Sequence, residues 1–373
     1  MTRVVVALDS FKGSIAAAPA AEAFAAGWLR VDPAAEVVLR PMADGGEGTL
    51  DAFAAAVPGA RRMPARVRGP RGTDVDASWL LLPDGTGVVE LAGTSGIELL
   101  GDDRRPWDAD TFGFGQAIGA ALAHGVRRLV LGIGSSASTD GGAGLLAALG
   151  ARFADAHGAP VEPGARGLAR VAHADLSALA ALPPDGAVVL TDVTNPLRGA
   201  EGAAAVFGPQ KGLRPDDVPR VDAALGRFAA LLPVGPALPS VAGAGAAGGA
   251  GFALAAWGAR LQPGAGAVAE VIGFDEAVAN ATLVVTGEGS FDGQSAAGKV
   301  PSFVAARAGR AGVPVALVAG RIGIDADASG FAATVSLTRL AGSPAASLAD
   351  PARWLGVAGE TLARESLRES ARE

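Results

Sequence analysis

Short runs of β-branched and aliphatic residues recur along the whole chain, each closing on a glycine-, hydroxyl- or acid-rich turn and followed by an alanine-rich stretch of helical length. Parallel neighbours in a sheet need a crossover long enough for a helix, so this rhythm points to a mostly parallel sheet covered by helices. Strands are predicted over Val4–Leu8, Val37–Arg40, Leu129–Ile133, Val188–Thr191, Leu283–Thr286, Val315–Ala319 and Thr334–Leu337. Helices are predicted over Ala18–Arg30, Thr49–Ala56, Gly115–His124, Gly144–Ala151, Val221–Leu232, Gly251–Gly258, Val300–Ala308 and Pro351–Arg364. A hairpin from Ser78–Leu82 to Val88–Leu91, with turn chemistry at Pro83–Gly87, interrupts the rhythm. The stretch Arg66–Asp76 beside it, with basic residues, Pro70 and glycines, reads as a change of domain. With 373 residues the chain exceeds one ordinary core. The expected architecture is α/β, with two lobes and a cleft between them. Residues 1–70 and 283–373 form a discontinuous flavodoxin- or Rossmann-like lobe, and residues 71–282 an inserted mixed-sheet lobe.

Composition removes several classes of function. The formal charge is −7, and no Lys/Arg-rich stretch is interleaved with aromatics, so nucleic acid is not an expected partner. There is no cysteine, which excludes disulfides, thiolate metal sites and a thiol nucleophile. His124, His157 and His173 lie far apart, without metal-ligand spacing. The apolar start of the chain is too short for a signal peptide and is stopped by Asp9. Residues 228–259 carry no charge, but Pro233, Pro236 and Pro239 break them and Gly and Ala dominate the rest, so no membrane span is expected. Cytoplasm is the expected location. Residues 360–373 read as a charged helical tail.

The chemistry-bearing residues fall just past predicted strands, where open α/β sheets bind ligands. Asp9-Ser-Phe-Lys-Gly-Ser14 offers Ser10 or Ser14 as a cap for the next helix and Lys12 to neutralise a phosphate or carboxylate. In Ala43-Asp-Gly-Gly-Glu-Gly-Thr49, Gly45 and Gly46 let backbone N–H groups turn toward an anion, while Asp44 and Glu47 suit a magnesium or hydroxyl contact. The loop Gly132–Gly144 is the densest in glycine and hydroxyl groups. Ser135, Ser136, Thr139, Asp140, Gly141 and Gly142 are its candidates for holding a phosphate chain or carboxylate. Thr191–Leu197 places Asp192 to orient or deprotonate an alcohol, with Asn195 nearby, and Phe207–Gly212 supplies Lys211 to screen phosphoryl charge.

Thr286–Lys299 contains a near P-loop from Gly293 to Lys299. It lacks the Ser or Thr that a P-loop needs at Val300, and extra residues separate it from the strand. Gly287, Ser295 and Lys299 remain phosphate-contact candidates and Glu288 and Asp292 candidate acids. Gly243–Gly248 matches the dinucleotide fingerprint, but no strand leads into it and no strand-ending acid follows about twenty residues on; close helix packing explains it better. A nicotinamide-dependent oxidoreductase would rest on this segment alone. No G-x-S-x-G elbow or usable histidine supports a hydrolase. Acids, lysines and glycine nests suit phosphoryl transfer, which needs positioning and charge neutralisation more than covalent chemistry.

Taken in order, the loops Asp9–Lys12, Ala43–Thr49, Gly132–Gly144, Asp192–Leu197, Phe207–Gly212, Gly243–Gly249 and Thr286–Pro301 resemble those of the type-1 glycerate kinases. The likeness runs from residue 3 to about 340. The resemblance implies ATP and Mg2+ as co-substrates and D-glycerate as acceptor. It implies 2-phosphoglycerate as product, with 3-phosphoglycerate as the other regiochemistry, and two lobes around a cleft. Catalytic roles would go to Asp192 or Asp44, with Lys12 and Lys299 neutralising charge, and Glu288 or Asp292 would help hold Mg2+ on ATP. A homo-oligomer is an open option. The chain departs from the family pattern at Ser135, where the family has Gly, and at Thr139, where it has Asn. It departs also at Ala242, where the family has Pro, and at Gln116, where Glu is frequent. These departures leave two other readings, a kinase of a related small hydroxy acid and a non-catalytic metabolite-binding relative.

Overall fold

The computed structural model describes residues 2–11, 13–293 and 300–370. Its strands are β1 (Arg3–Leu8), β2 (Glu36–Leu39), β3 (Arg61–Arg68), β4 (Asp74–Leu81), β5 (Thr86–Glu90), β6 (Arg128–Gly132), β7 (Arg152–Ala154), β8 (His173–Asp175), β9 (Ala187–Leu190), β10 (Arg260–Gln262), β11 (Leu283–Phe291), β12 (Val315–Ile322) and β13 (Ala333–Ser336). The chain divides into two compact units. One comprises Met1–Asp44, Asp51–Pro58 and Ala265–Glu373; the other comprises Gly45–Leu50 and Gly59–Gly264. No helix of the described residues is long and apolar enough to cross a membrane.

The first unit is built on a five-stranded sheet in the order β13-β12-β11-β1-β2, parallel throughout. β1 is buried from Val4 to Leu8, as its unbroken Val-Val-Val-Ala-Leu run requires of a central strand covered on both faces. Phe24 and Trp28 on helix Ala17–Val31 are fully buried with Leu355 and Leu362 of helix Pro351–Ser370. Each such side chain contributes roughly 1.5–3 kcal/mol of burial. The two helices meet backbone to backbone. A Cβ on Gly27 would lie 1.9 Å from the Gly356 carbonyl oxygen, so only glycine fits there.

β11 extends beyond its predicted end at Thr286. It pairs with β12 as far as Phe291↔Ile322, which places Gly287 and Glu288 inside a strand instead of a loop. The glycines suggested a turn; they serve instead to let strands approach, since a Cβ on Gly287 would sit 1.8 Å from the Val318 carbonyl oxygen.

The second unit carries a six-stranded sheet in the order β10-β9-β6-β5-β4-β3. β5, β6, β9 and β10 are parallel, and β4 and β3 are added antiparallel. The hairpin around Pro83–Gly87 forms, with Leu80 opposite Val88. Arg66–Asp76, read above as a change of domain, is the turn end of a second hairpin in which β3 pairs with β4 from Arg61↔Leu81 to Arg68↔Asp74. Pro64 is tolerated because β3 is the edge strand. The second unit therefore resumes at Gly59, and it ends at Gly264, whereas the sequence suggested boundaries at 70 and 282. Its core holds Phe114, Leu129, Leu131, Leu145 and Phe252, with Phe228 edge-on to Phe153 and Phe252 at ring distances of 5.4 and 6.3 Å.

Candidate active site

In the second unit the carboxyl ends of β5, β6, β9 and β10 lie along one edge of the sheet, and the predicted loops Gly132–Gly144 and Thr191–Leu197 leave from there. The Gly132–Gly144 loop follows β6. Gly45 and Gly46 are packed beside it, with the Gly134 N–H donating to the Gly45 carbonyl at 2.9 Å. There is no room for side chains at this approach, because a Cβ on Gly134 would lie 2.4 Å from the Gly46 Cα. Glu90, at the end of β5, accepts from the Leu50 N–H at 3.0 Å and the Gly48 N–H at 3.4 Å, satisfying donors at the start of helix Thr49–Ala56. Glu47 itself is exposed.

Asp140 is fully buried, and its carboxylate gathers the loop around itself. Oδ2 accepts from the Thr111 N–H at 2.9 Å, the Thr111 hydroxyl at 2.8 Å and the Gly144 N–H at 3.1 Å. Oδ1 accepts from the Ser138 hydroxyl at 3.2 Å and the Gly142 N–H at 3.1 Å. The Gly141 N–H goes to the Gly248 carbonyl at 2.9 Å. The donors at Gly141 and Gly142, expected to face an external anion, are thus taken inside the protein together with that of Gly144, two of the three by a carboxylate that the loop itself carries.

Lys211 is 2% exposed. Its ammonium donates to the Ser136 hydroxyl at 2.7 Å and to the Ser138 carbonyl at 2.6 Å. Burial lowers its pKa to about 7 against the raising influence of Asp140. Thr139 is 1% exposed, and its Oγ1 lacks a hydrogen-bond partner among the described residues. Ser135 is exposed and has φ of +59°, a backbone conformation where the family pattern places glycine. Asp192, just past β9, accepts from the Gly264 N–H at 2.7 Å. The Asn195 side-chain amide donates to the Glu201 carbonyl at 2.7 Å, and the Asn195 backbone carbonyl accepts from the Gly245 N–H at 2.9 Å.

Sequence reasoning missed Glu90, Asp110, Thr111 and Arg68. Asp110 caps the Phe112 N–H at 2.8 Å and accepts from Arg68, while Gln116 accepts from the Arg68 N–H at 2.7 Å. Burial first, and then the nearby Asp140, push the pKa of Asp110 up to about 6. The available signals were an acid closing Val88-Val89 and an Asp-Thr pair before a helix. Arg68, Asp110, Phe112 and Gly144 also line a cavity of about 560 Å³ with Phe153 and His173.

In the first unit the ends of β1, β2 and β11 bring together a second set. The Asp9 N–H donates to the Gly287 carbonyl at 2.9 Å, and the Ser10 N–H donates to Asp9 Oδ1 at 2.7 Å. Beyond β2 the Met42 N–H still bonds the Leu8 carbonyl at 2.8 Å, which carries Asp44 alongside the turn after β1. Glu288 is 8% exposed on β11. The Arg321 guanidinium donates to the Ser290 hydroxyl at 2.9 Å, and that hydroxyl lies 3.5 Å from Asp292 Oδ2. Lys12, Ser295 and Lys299 lie outside the described residues. Among the described residues no group of three His, Cys, Asp or Glu side chains is arranged to hold a metal ion.

The glycines of Gly243–Gly248 are spent on packing. Gly248 has φ of +68°, and a Cβ there would sit 2.1 Å from the Ser138 carbonyl oxygen. No strand leads into the segment.

Two α/β units with strand-end loops rich in glycine, hydroxyl groups, acids and a buried lysine are the equipment of a small-molecule kinase. The Glycerate kinase family model matches residues 4–367, so the chain belongs to the glycerate kinase family and is a kinase enzyme. A glycerate kinase of Bacillus subtilis (strain 168) is 42% identical over 332 residues, covering 87% of each chain. A glycerate 2-kinase of Escherichia coli (strain K12) is 41% identical over 326 residues, covering 86% of this chain and 85% of that one. A crystal structure described as a glycerate kinase 2 from Salmonella typhimurium LT2 superposes with a TM-score of 0.84 at 37% identity, covering both chains completely.

Proposed function

We propose that the protein transfers the γ-phosphoryl group of ATP to the 2-hydroxyl of D-glycerate, giving 2-phosphoglycerate. Support for glycerate comes from the family and from relatives named for it, and support for the 2-hydroxyl from the Escherichia coli relative's name. The observation that carries the reading is the gathering of the 45–49, 132–144 and 191–197 loops on one strand-end edge, where the Gly134 N–H donates to the Gly45 carbonyl and Gly45 packs against Leu190 at the end of β9.

Asp192 is the proposed base. Its Oδ1 is fixed on the Gly264 N–H, which orients the carboxylate for a substrate hydroxyl. Asp44 is the alternative base, on the first unit. Lys12 and Lys299 are assigned to carboxylate and phosphate charge, and Ser10, Glu47, Asn195, Gly287 and Ser295 to ligand contacts. Glu288 or Asp292 would help hold Mg2+ on ATP, since a nucleotide-bound Mg2+ needs only one or two carboxylates from the protein. When bound, it neutralises charge on the phosphoryl group. A cytoplasmic location completes the reading.

An ADP-release assay over a panel of short hydroxy acids, with phosphorus NMR of the product, tests it. The expected outcome is turnover with D-glycerate and an ester on the 2-hydroxyl. An ester on the 3-hydroxyl corrects the regiochemistry, and a better acceptor elsewhere in the panel corrects the substrate. Absence of ADP release with every acid overturns the proposal.

A further inference from the structure

A lysine at a phosphoryl-transfer site is ordinarily expected to touch the phosphate. Lys211 does not fit that role, because it is 2% exposed and its ammonium is engaged by Ser136 and the Ser138 carbonyl. What it does to Ser136 follows from hydrogen-bond chemistry. An ammonium has three donors and no acceptor, whereas a serine hydroxyl has one proton and two lone pairs. At 2.7 Å the serine oxygen is the acceptor, so its own proton must point elsewhere.

Among the described residues no protein group is bonded to that proton as acceptor. The neighbouring hydroxyls behave differently: those of Ser138 and Thr111 are given to Asp140. Thr139, three positions further on, has a second buried hydroxyl left without a protein partner among the described residues. A buried polar group without a protein partner needs one from outside the protein, and in a strand-end loop of a kinase a bound co-substrate is such a partner.

We propose that Lys211 works through Ser136, holding the hydroxyl with its proton turned away from Nζ, as a hydrogen-bond donor to an oxyanion of a co-substrate. The oxyanion is the carboxylate of the acceptor or a phosphoryl oxygen of the donor. This rests on the phosphotransfer reading above, and it makes Lys211 a positioning residue. The arrangement is sensitive to pH. Once Nζ loses a proton it gains a lone pair, and the serine proton can then turn inward to it. Burial brings that loss to a pKa of about 7, opposed by Asp140. Arg104 also lies beside Gly212, and its guanidinium is bonded to the Ile97 carbonyl.

The test measures KM for glycerate and for ATP separately at pH 6 and 8.5, in the wild type, Ser136→Ala, Lys211→Met and the double variant. Removing a hydrogen bond to a charged group is expected to raise one KM about 10- to 100-fold. Lys211→Met should raise the same KM, and the double variant should be no worse than the larger single effect. The wild-type value should climb between the two pH values while that of Ser136→Ala stays flat. Whether the glycerate or the ATP value moves identifies the oxyanion. Multiplying effects in the double variant, or a Ser136→Ala protein with both values within about twofold of wild type, would overturn the proposal. If Lys211→Met does not fold, Ser136→Ala and its pH profile decide alone. A wild type without turnover sinks the phosphotransfer reading and this inference together, whereas an active wild type with unmoved variants sinks only the inference.

Discussion

Replacing Asp140 with asparagine tests whether the Gly132–Gly144 loop is organised around its own carboxylate. Five protein donors converge on the two oxygens of Asp140. An amide has one oxygen, so one of the two groups of donors must face an NH2. On the Oδ2 side that would strand the N–H groups of Thr111 and Gly144. On the Oδ1 side it strands only the Gly142 N–H, since the Ser138 hydroxyl can rotate and accept. The amide takes the second orientation. One buried N–H without an acceptor costs about 1–3 kcal/mol, and three charge-assisted bonds fall to neutral strength at roughly 1 kcal/mol each. Relief from burying a charge offsets part of this, leaving a net loss of about 2–4 kcal/mol. In a unit of this size the expected fall in melting temperature is on the order of 5–10 °C, and Asp140→Ala should fall further. A second signature is electrostatic. Because Asp140 raises the pKa of both Asp110 and Lys211, its neutralisation should lower both, which side-chain NMR titration reads directly. Melting shifts under about 2 °C for both variants, with the Asp110 titration unmoved, would refute the reasoning.

Asp192→Asn keeps an oxygen for the Gly264 N–H, so melting should move little while kcat falls by about 100- to 10,000-fold; near-normal turnover removes Asp192 from the catalytic role. Ser135→Gly relieves a non-glycine residue at φ of +59° and should stabilise by about 0.5–1 kcal/mol, measured as a urea midpoint. Asp110 has its pKa raised from 3.8 to about 6, so the folded state holds the proton more tightly, and that stability is lost as pH climbs from about 4 through 6. Asp110→Asn escapes the loss. Its stability relative to wild type should improve by up to roughly 3 kcal/mol between pH 4 and 7, and an unchanged difference between urea midpoints at the two pH values would contradict this.

The strand ends were legible because a buried parallel strand must be apolar and a ligand loop must be glycine-rich, and both signals are local. Val4–Leu8, Leu129–Ile133 and Val188–Thr191 therefore matched β1, β6 and β9 within a residue. β3 was hidden because an edge strand tolerates Arg61, Arg62, Pro64 and Arg66, residues that read as a linker. The extension of β11 was hidden because Gly287 and Gly289 signal a turn in sequence, yet here Gly287 permits close approach to β12. The site was legible as a set of loops but not as a set of partners. Thr111 bonds Asp140 across 29 positions and Lys211 bonds Ser136 across 75, distances over which no sequence spacing carries information.

These long-range partners change what the glycine-rich loop is for. A loop whose N–H groups awaited a phosphate would carry several unsatisfied donors in the free protein and would have to order itself on binding. Here Asp140 fills that place and Gly248 closes over the Gly141 N–H, so the backbone is set before any ligand arrives. The Ser138 carbonyl, against which Gly248 packs without a side chain, is also the acceptor for Lys211. The glycine that resembled a dinucleotide fingerprint thus helps hold the lysine that orients Ser136. Rigid donors aimed in advance stabilise developing charge without paying for reorganisation during the reaction. If Ser136 and Thr139 meet a co-substrate as proposed, they depend on buried neighbours, and substitutions at Gly248 or Asp140 should lower turnover through the geometry of those two hydroxyls.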